Sequence, residues 1–427
     1  MIWLLGNRMN QIKANIEKIC KRTKSASSIL GESSHSDRNK ALKLISYYIL
    51  KYRKKIIASN QRDISLAKKN KTPEHLLDRL LLNEERIKSI VKDISNVIKL
   101  EDPIGKVLLK KHRPNGLKIS KISVPLGVIA VIFESRPNVV CDVAILCIKS
   151  GNAVILKGGK EAQNTNETII NIIRKALEKS TLNKNIVSSL ESYSRNAVNL
   201  LFSMNKYIDV LVPRGGKELI KTVKEKSTIP VFSHLDGICH TYIDKYANVK
   251  MAVEVCVNAK MRRTSICGAT ETILIHKDTE KSILPKLLEN LLDAGCEIRG
   301  DNNITKHNKN IKKVKQSDWE KEYLDAIVSI KVVNNLEEAV NHINSYSSKH
   351  TDAIITNNIS CANIFLKKIE SAIVMHNTST QFADGAEFGL GSEIGISTGK
   401  LHARGPVGTQ ELTTYKYIVK GTGQLRQ

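Results

Sequence analysis

The first hundred residues carry a helical spacing of apolar side chains. Leu42, Ile45, Ile49, Tyr52 and Ile56 are separated alternately by three and four positions, one face of an α-helix, with Ser36 or Asp37 placed as its N-cap. Near residue 107 the spacing changes. Val107-Leu-Leu-Lys-Lys runs through Arg113-Pro-Asn-Gly116 into the alternating Leu117-Lys-Ile-Ser-Lys-Ile-Ser-Val124, which predicts two antiparallel strands around an Asn-Gly turn. From Gly127 strands and helices alternate: a strand from Val128 to Phe133, a helix from Val139 to Lys149, a strand from Ala153 to Leu156, a helix opening near Asn164, and strands from Ile208 to Val212 and Ile229 to Phe232. Apolar runs separated by helical patterns predict a parallel, doubly wound sheet. A second such block has strands near Glu271 to His276, Ile327 to Val333, Asp352 to Thr356 and Ala372 to Met375, with helices around 281–293, 336–345 and 360–369. Ser317 to Glu322 reads as loop, and Thr413-Thr-Tyr-Lys-Tyr-Ile-Val-Lys420 as an amphipathic strand.

The expected class is therefore α/β, with two doubly wound parallel-sheet domains, a division that the length of 427 residues also favours. The apolar start Met1-Ile-Trp-Leu-Leu-Gly6 is too short for a signal or a membrane span, so no membrane is expected, and Met9 is an alternative start. Eight cysteines, none in a Cys-x-x-Cys pair or at zinc-ligand spacing from histidines, point to the reducing cytoplasm and to no metal. The formal charge of +25 raises the question of nucleic acid. The lysines, however, are spread along the chain with no aromatic interleaving to stack bases, so no specific nucleic-acid partner is expected.

One stretch carries chemistry. Met261-Arg-Arg-Thr-Ser-Ile-Cys-Gly-Ala-Thr270 delivers Cys267 on a short loop before an apolar strand, with Arg262 and Arg263 upstream and small neighbours around the sulfur. An electropositive, uncrowded setting favours a thiolate open to an electrophile, so Cys267 is the candidate nucleophile. Lys157 stands at the carboxyl end of a strand, where open parallel sheets bind ligands, followed by Gly158, Gly159 and Lys160. Pro213-Arg214-Gly215-Gly216 lies between a strand and a helix, where backbone donors and the helix dipole can face a pyrophosphate.

Three long segments join these into one pattern: Val-Pro-Leu-Gly-Val-Ile-Ala-Val-Ile-Phe-Glu-Ser-Arg-Pro-Asn from Val124, Ser-Gly-Asn-Ala-Val-Ile-Leu-Lys-Gly-Gly-Lys-Glu-Ala from Ser150, and Lys-Leu-His-Ala-Arg-Gly-Pro-Val-Gly from Lys400. On them the chain resembles the gamma-glutamyl phosphate reductase family of the aldehyde dehydrogenase superfamily. The resemblance implies an aldehyde dehydrogenase-like fold: residues 1–106 and 125–238 as an NADPH-binding domain, 239–398 as the catalytic domain, and 107–124 with 399–427 as a hairpin-and-tail oligomerisation flap. It implies an NADPH-dependent reduction of glutamyl 5-phosphate through a thioester on Cys267, in a homo-oligomer, with possible hand-over from a glutamate 5-kinase.

Further roles follow from the resemblance. Lys157, Gly158, Gly159, Lys160, Arg214, Gly215, Gly216 and Glu322 would hold the cofactor, with Glu322 on the nicotinamide ribose. Arg136, Arg404, Ser379 and Thr380 would receive the substrate. The backbone N–H of Cys267 and the amide of Asn138 would serve the oxyanion, and the choice between Asn138 and Arg136 stays open. Hydrolytic relatives carry a water-activating glutamate in a Glu-Leu-Gly-Gly segment, where this chain has His234-Leu-Asp-Gly237. That departure suits a reductive enzyme, and no catalytic role is expected for His234. Two other readings compete: a CoA-acylating aldehyde dehydrogenase, and a noncatalytic basic protein that binds nucleic acid.

Overall fold

Five helices open the chain: Ile2–Glu32, His35–Lys51, Arg53–Lys69, Glu74–Leu80 and Glu84–Lys99. The last shows why. Asn83 caps it by accepting from the Arg86 N–H, Glu84 and Glu85 meet the positive end of the dipole, and Ile87, Ile90, Ile94 and Val97 bury one stripe. In the second helix Leu42, Ile45 and Ile49 are buried as expected, but its N-cap is Ser34, whose hydroxyl accepts from the Asp37 N–H at 3.1 Å. Ser36 and Asp37 lie inside the first turn. The apolar spacing also runs unbroken through a real interruption, because Tyr52 ends one helix and opens the next.

The structure is a computed structural model, and it describes residues 2–190 and 194–426. The chain splits into two units, Met1–Ser233 with Gly389–Gly395 and Val407–Gln427, and His234–Phe388 with Ile396–Pro406. In the first, four parallel strands lie in the order Val187–Ser189, Ala153–Lys157, Val128–Phe133, Val210–Arg214. Every residue of Val128–Phe133 is buried, as a central strand covered on both faces demands. Helices His35–Lys51 and Arg53–Lys69 pack on Gln163–Leu177, and Glu84–Lys99 packs on Val139–Lys149. The expected strand from Ile229 to Phe232 is instead a single bridge between Val231 and Leu211. Pro230 has no N–H to extend a ladder, although its carbonyl accepts from Leu211. The same unit carries a three-stranded antiparallel sheet, Val107–His112, Lys118–Pro125, Thr413–Lys420, built from the hairpin and the tail.

The second unit holds a seven-stranded parallel sheet in the order Lys312–Lys313, Glu297–Gly300, Ile327–Val333, Thr270–His276, Cys239–Ile243, Thr351–Ile355, Ile373–His376. The expected α/β class is thus present, with both main sheets parallel. Cys239–Ile243 is a strand that the sequence hid. Its His240 and Thr241 look polar but are fully buried. Asp352 accepts from the His240 N–H at 2.8 Å, and Thr241 Oγ1 meets Thr270 Oγ1 at 2.7 Å. The partners that satisfy them lie on neighbouring strands, out of reach of any local pattern.

Candidate active site

Three adjacent strands of the second unit, Thr270–His276, Cys239–Ile243 and Thr351–Ile355, begin at one edge of the sheet. The loops entering them carry Cys267, then His234 and Gly237, then His350. One ring nitrogen of each histidine and the Cys267 sulfur lie within 4.8 Å of one another. Cys267 is half-buried, and His350 is fully buried. Burial opposes the thiolate, but the charge of His350 and the hydrogen bond of His234 outweigh it and hold Cys267 well below the ordinary thiol range.

The other cysteines behave in the opposite sense. Burial pushes Cys20 and Cys296 up to about 12 and raises Cys141, Cys147, Cys239 and Cys256. Half-exposed Cys361 is raised as well, by burial and then by Asp244. The electropositive setting expected from Arg262 and Arg263 is therefore supplied by two histidines instead. Both arginine side chains are exposed, and neither is among the main causes of the Cys267 shift.

The loop is held in place from several sides. A Cβ on Gly237 would meet the Cys267 Cα at 2.5 Å and its carbonyl carbon at 2.7 Å, so only glycine fits there. The Gly237 N–H donates to Glu322 Oε1 at 2.8 Å, which ties Glu322 to the loop that packs on the nucleophile. The Cys239 thiol donates to the Cys267 carbonyl at 3.1 Å. Behind the loop, Thr380 is fully buried, its Oγ1 is 3.0 Å from Thr270 Oγ1, and its carbonyl would sit 3.1 Å from a Cβ on Gly268. Ser379 is 4% exposed and caps the short turn of Thr380–Phe382. Both were expected to line a pocket; in the structure Thr380 packs behind the nucleophile loop, and Ser379 caps the turn that carries Thr380. Exposed Arg404 donates to the Glu370 carbonyl.

In the first unit the expected residues gather at the opposite kind of edge, the carboxyl ends of Ala153–Lys157, Val128–Phe133 and Val210–Arg214, which are adjacent in the sheet. Lys157 is 6% exposed, its Nζ donates to the Gly158 carbonyl at 2.7 Å, and burial lowers its pKa. Beside it, the amide of buried Asn166 has no hydrogen-bond partner on either atom, and its Nδ2 lies against the face of Gly158. An orphaned buried amide next to a lysine on a glycine turn fits a polar ligand such as a nucleotide ribose. Exposed Lys160 opens a short helical turn whose Glu161 carboxylate crowds the position of a Gly159 side chain and accepts from the Ser135 N–H at 2.6 Å. The Gly216 N–H, at the start of Lys217–Lys226, donates to Glu134 Oε2 at 2.9 Å, and the same carboxylate crowds the position of a Gly215 side chain. A pyrophosphate there would have to displace Glu134. Arg214 Nε is buried without a hydrogen-bond partner. Arg136 and Asn138 follow Val128–Phe133, and Asn138 Nδ2 donates to Asp142 Oδ2 at 2.8 Å. Burial pushes Asp142 up to about 7.

Sequence reasoning missed His350 altogether and gave His234 no task. For His234 the signal was its position, where hydrolytic relatives carry their glutamate. For His350 there was none, since 83 residues separate it from Cys267 and only the strand order unites them. No cysteine stands at zinc-ligand spacing from histidines along the chain, yet the fold groups Cys267 with two of them.

A sheet pair of this kind with an activated cysteine marks a class, and the chain belongs to the aldehyde dehydrogenase family, whose model matches residues 5–317. Within it the chain is 47% identical over 408 residues to gamma-glutamyl phosphate reductase of Rhodospirillum rubrum, covering 96% of each chain. The crystal structure of gamma-glutamyl phosphate reductase from Thermotoga maritima matches with a TM-score of 0.94 at 40% identity, over 96% of this chain and 100% of that one. An acetylating aldehyde dehydrogenase from Geobacillus thermoglucosidasius shares the fold, with a TM-score of 0.70 at 16% identity over 98% of this chain and 99% of that one.

Proposed function

We propose that this chain reduces L-glutamyl 5-phosphate to L-glutamate 5-semialdehyde and phosphate with NADPH, the second step of proline biosynthesis from glutamate. The observation that carries the chemistry is the thiol of Cys267, depressed by His350 and His234. The names of the full-length relatives carry the substrate.

An acyl phosphate presents an activated carbonyl. The Cys267 thiolate attacks that carbon, the bond to the phosphate oxygen breaks, phosphate leaves with the electron pair, and a thioester remains on the protein. Bound NADPH supplies hydride to the thioester carbon. Expulsion of the sulfur as thiolate then releases the aldehyde, and His350 and His234 stabilise the leaving sulfur as they did the attacking one. The Cys267 N–H is the donor for the oxyanion, a role for which the resemblance also offers Asn138 or Arg136. His234 Nδ1 faces the Ile396 carbonyl at 2.7 Å, and its ring engages the sulfur, so it is not set to activate water against the thioester.

Lys157, Asn166 and the turn Gly158-Gly159-Lys160 hold the adenosine ribose and its 2′-phosphate in this reading, with Arg214, Gly215 and Gly216 at the pyrophosphate and Glu322 on the nicotinamide ribose. Arg136 and Arg404 take the substrate anions, and Ser379 and Thr380 support the pocket through the nucleophile loop. The edge strand Val107–His112, exposed along its length, pairs a second copy of the chain, and the labile acyl phosphate favours transfer from the kinase that makes it. The free thiol requires a reducing compartment such as the cytoplasm, and no helix among the described residues is long and apolar enough to cross a membrane.

The test runs the reaction in reverse. Glutamate 5-semialdehyde with NADP+ should give NADPH only when phosphate is present, and Cys267→Ala should lower the rate by roughly 10⁴-fold. CoA replacing phosphate as acceptor, or activity undiminished in Cys267→Ala, would reject the reading.

A further inference from the structure

Cys267, His234 and His350 form, among the described residues, the only cluster of three or more side chains arranged to share one ion. His234 Nδ1 lies 2.7 Å from the Ile396 carbonyl, an oxygen that only accepts, so in the neutral ring Nδ1 carries the hydrogen and Nε2 keeps the lone pair. His350 Nδ1 lies 2.9 Å from Thr351 Oγ1, while its Nε2 is buried with no hydrogen-bond partner. A histidine ligand in a metalloprotein is held in just this way, one ring nitrogen on a backbone or side-chain oxygen and the other on the ion.

We propose that this cluster is a His₂Cys site for a borderline-soft divalent cation of the Zn²⁺ class, and that the ion caps the nucleophile reversibly. The donor chemistry decides the ion: one thiolate and two imidazoles suit zinc, not magnesium or calcium. Two nitrogens and one sulfur bound to one zinc stand about 3.3–3.6 Å apart, given bonds of about 2.3 Å to sulfur and about 2.0–2.1 Å to nitrogen. The present separations, up to 4.8 Å, close to that by side-chain rotation of about 1 Å. Three protein ligands leave a fourth position open to water. Binding forms a bond from the Cys267 thiolate to zinc and releases to solvent the proton that the thiol–imidazole cluster holds in the absence of the ion, with no change in oxidation state. This inference rests on the geometry of the three side chains, so it stands or falls independently of the substrate assigned above.

The experiment is equilibrium dialysis of the purified full-length protein against ZnCl₂, with the bound metal measured directly, and a parallel Co²⁺ titration followed by absorption. The wild-type protein should hold one Zn²⁺ per chain, show a thiolate-to-cobalt charge-transfer band, and lose iodoacetamide labelling of Cys267 until a chelator is added. Cys267→Ser should abolish the band. His350→Ala and His234→Ala should each weaken zinc at least about tenfold. Cys361→Ser should bind as wild type. Zinc retained in full by Cys267→Ser, or no stoichiometric zinc in the wild-type protein, would overturn the proposal, and urea unfolding of each variant separates a misfolded protein from an empty site.

Discussion

The two units place their candidate functional groups at opposite edges of parallel sheets. In the first, Lys157, Glu134 and Arg214 end or follow three adjacent strands at their carboxyl ends, each in a short motif of glycine and charge. In the second, Cys267, Gly237 and His350 precede three adjacent strands at their amino ends, in loops with little in common. A binding edge built from contiguous turns is written locally and can be read locally. A reactive centre built by bringing three distant loops together is written in the strand order.

Perturbing the second edge should cost most. His350→Ala removes the charge that most favours the thiolate and should lower turnover at neutral pH by roughly 10²–10³-fold, with part of the loss recovered as pH rises toward the ordinary thiol range. Initial rates against pH for both proteins check it, and a uniform loss at every pH would assign His350 a merely structural role. Gly237→Ala forces a methyl into the Cys267 backbone and should lower kcat about tenfold to a hundredfold, and stability by about 1–3 kcal/mol, seen in steady-state kinetics and urea unfolding. At the first edge, Lys157→Ala should raise KM for NADPH about tenfold while leaving the labelling of Cys267 unchanged. A parallel loss of thiol reactivity would erase the contrast between the edges. Least of all, Arg262→Ala and Arg263→Ala should change Cys267 labelling by less than about twofold, because exposed charges are screened.

Much of the fold was legible because its elements state themselves locally. Val128–Phe133, Val139–Lys149, Ile327–Val333 and Thr413–Lys420 fall where apolar spacing predicts, and the hairpin follows its Asn-Gly turn. The failures share one cause. Cys239–Ile243 buries a histidine and a threonine whose partners, Asp352 and Thr270, come from other strands. Pro230 stopped a strand that hydrophobicity alone would extend. At the site, the loop before an apolar strand singled out Cys267, but the source of its activation was assigned to neighbours in sequence, Arg262 and Arg263. The structure gives it to neighbours in space. Thr380, read as pocket lining, also meets Thr270 at the mouth of another strand, a contact that no local pattern announces.

The account depends on Cys267 being a thiolate where the other thiols are not. Iodoacetamide labelling against pH, read peptide by peptide, tests this in one experiment, with half-exposed Cys361 as the internal reference. Because the Cys267 pKa is depressed, its labelling should persist as pH falls well below the ordinary thiol value of 9.0 and be lost only on passing the lower pKa. Cys361, with its pKa raised, should label only in alkali. Two coincident profiles would contradict the account.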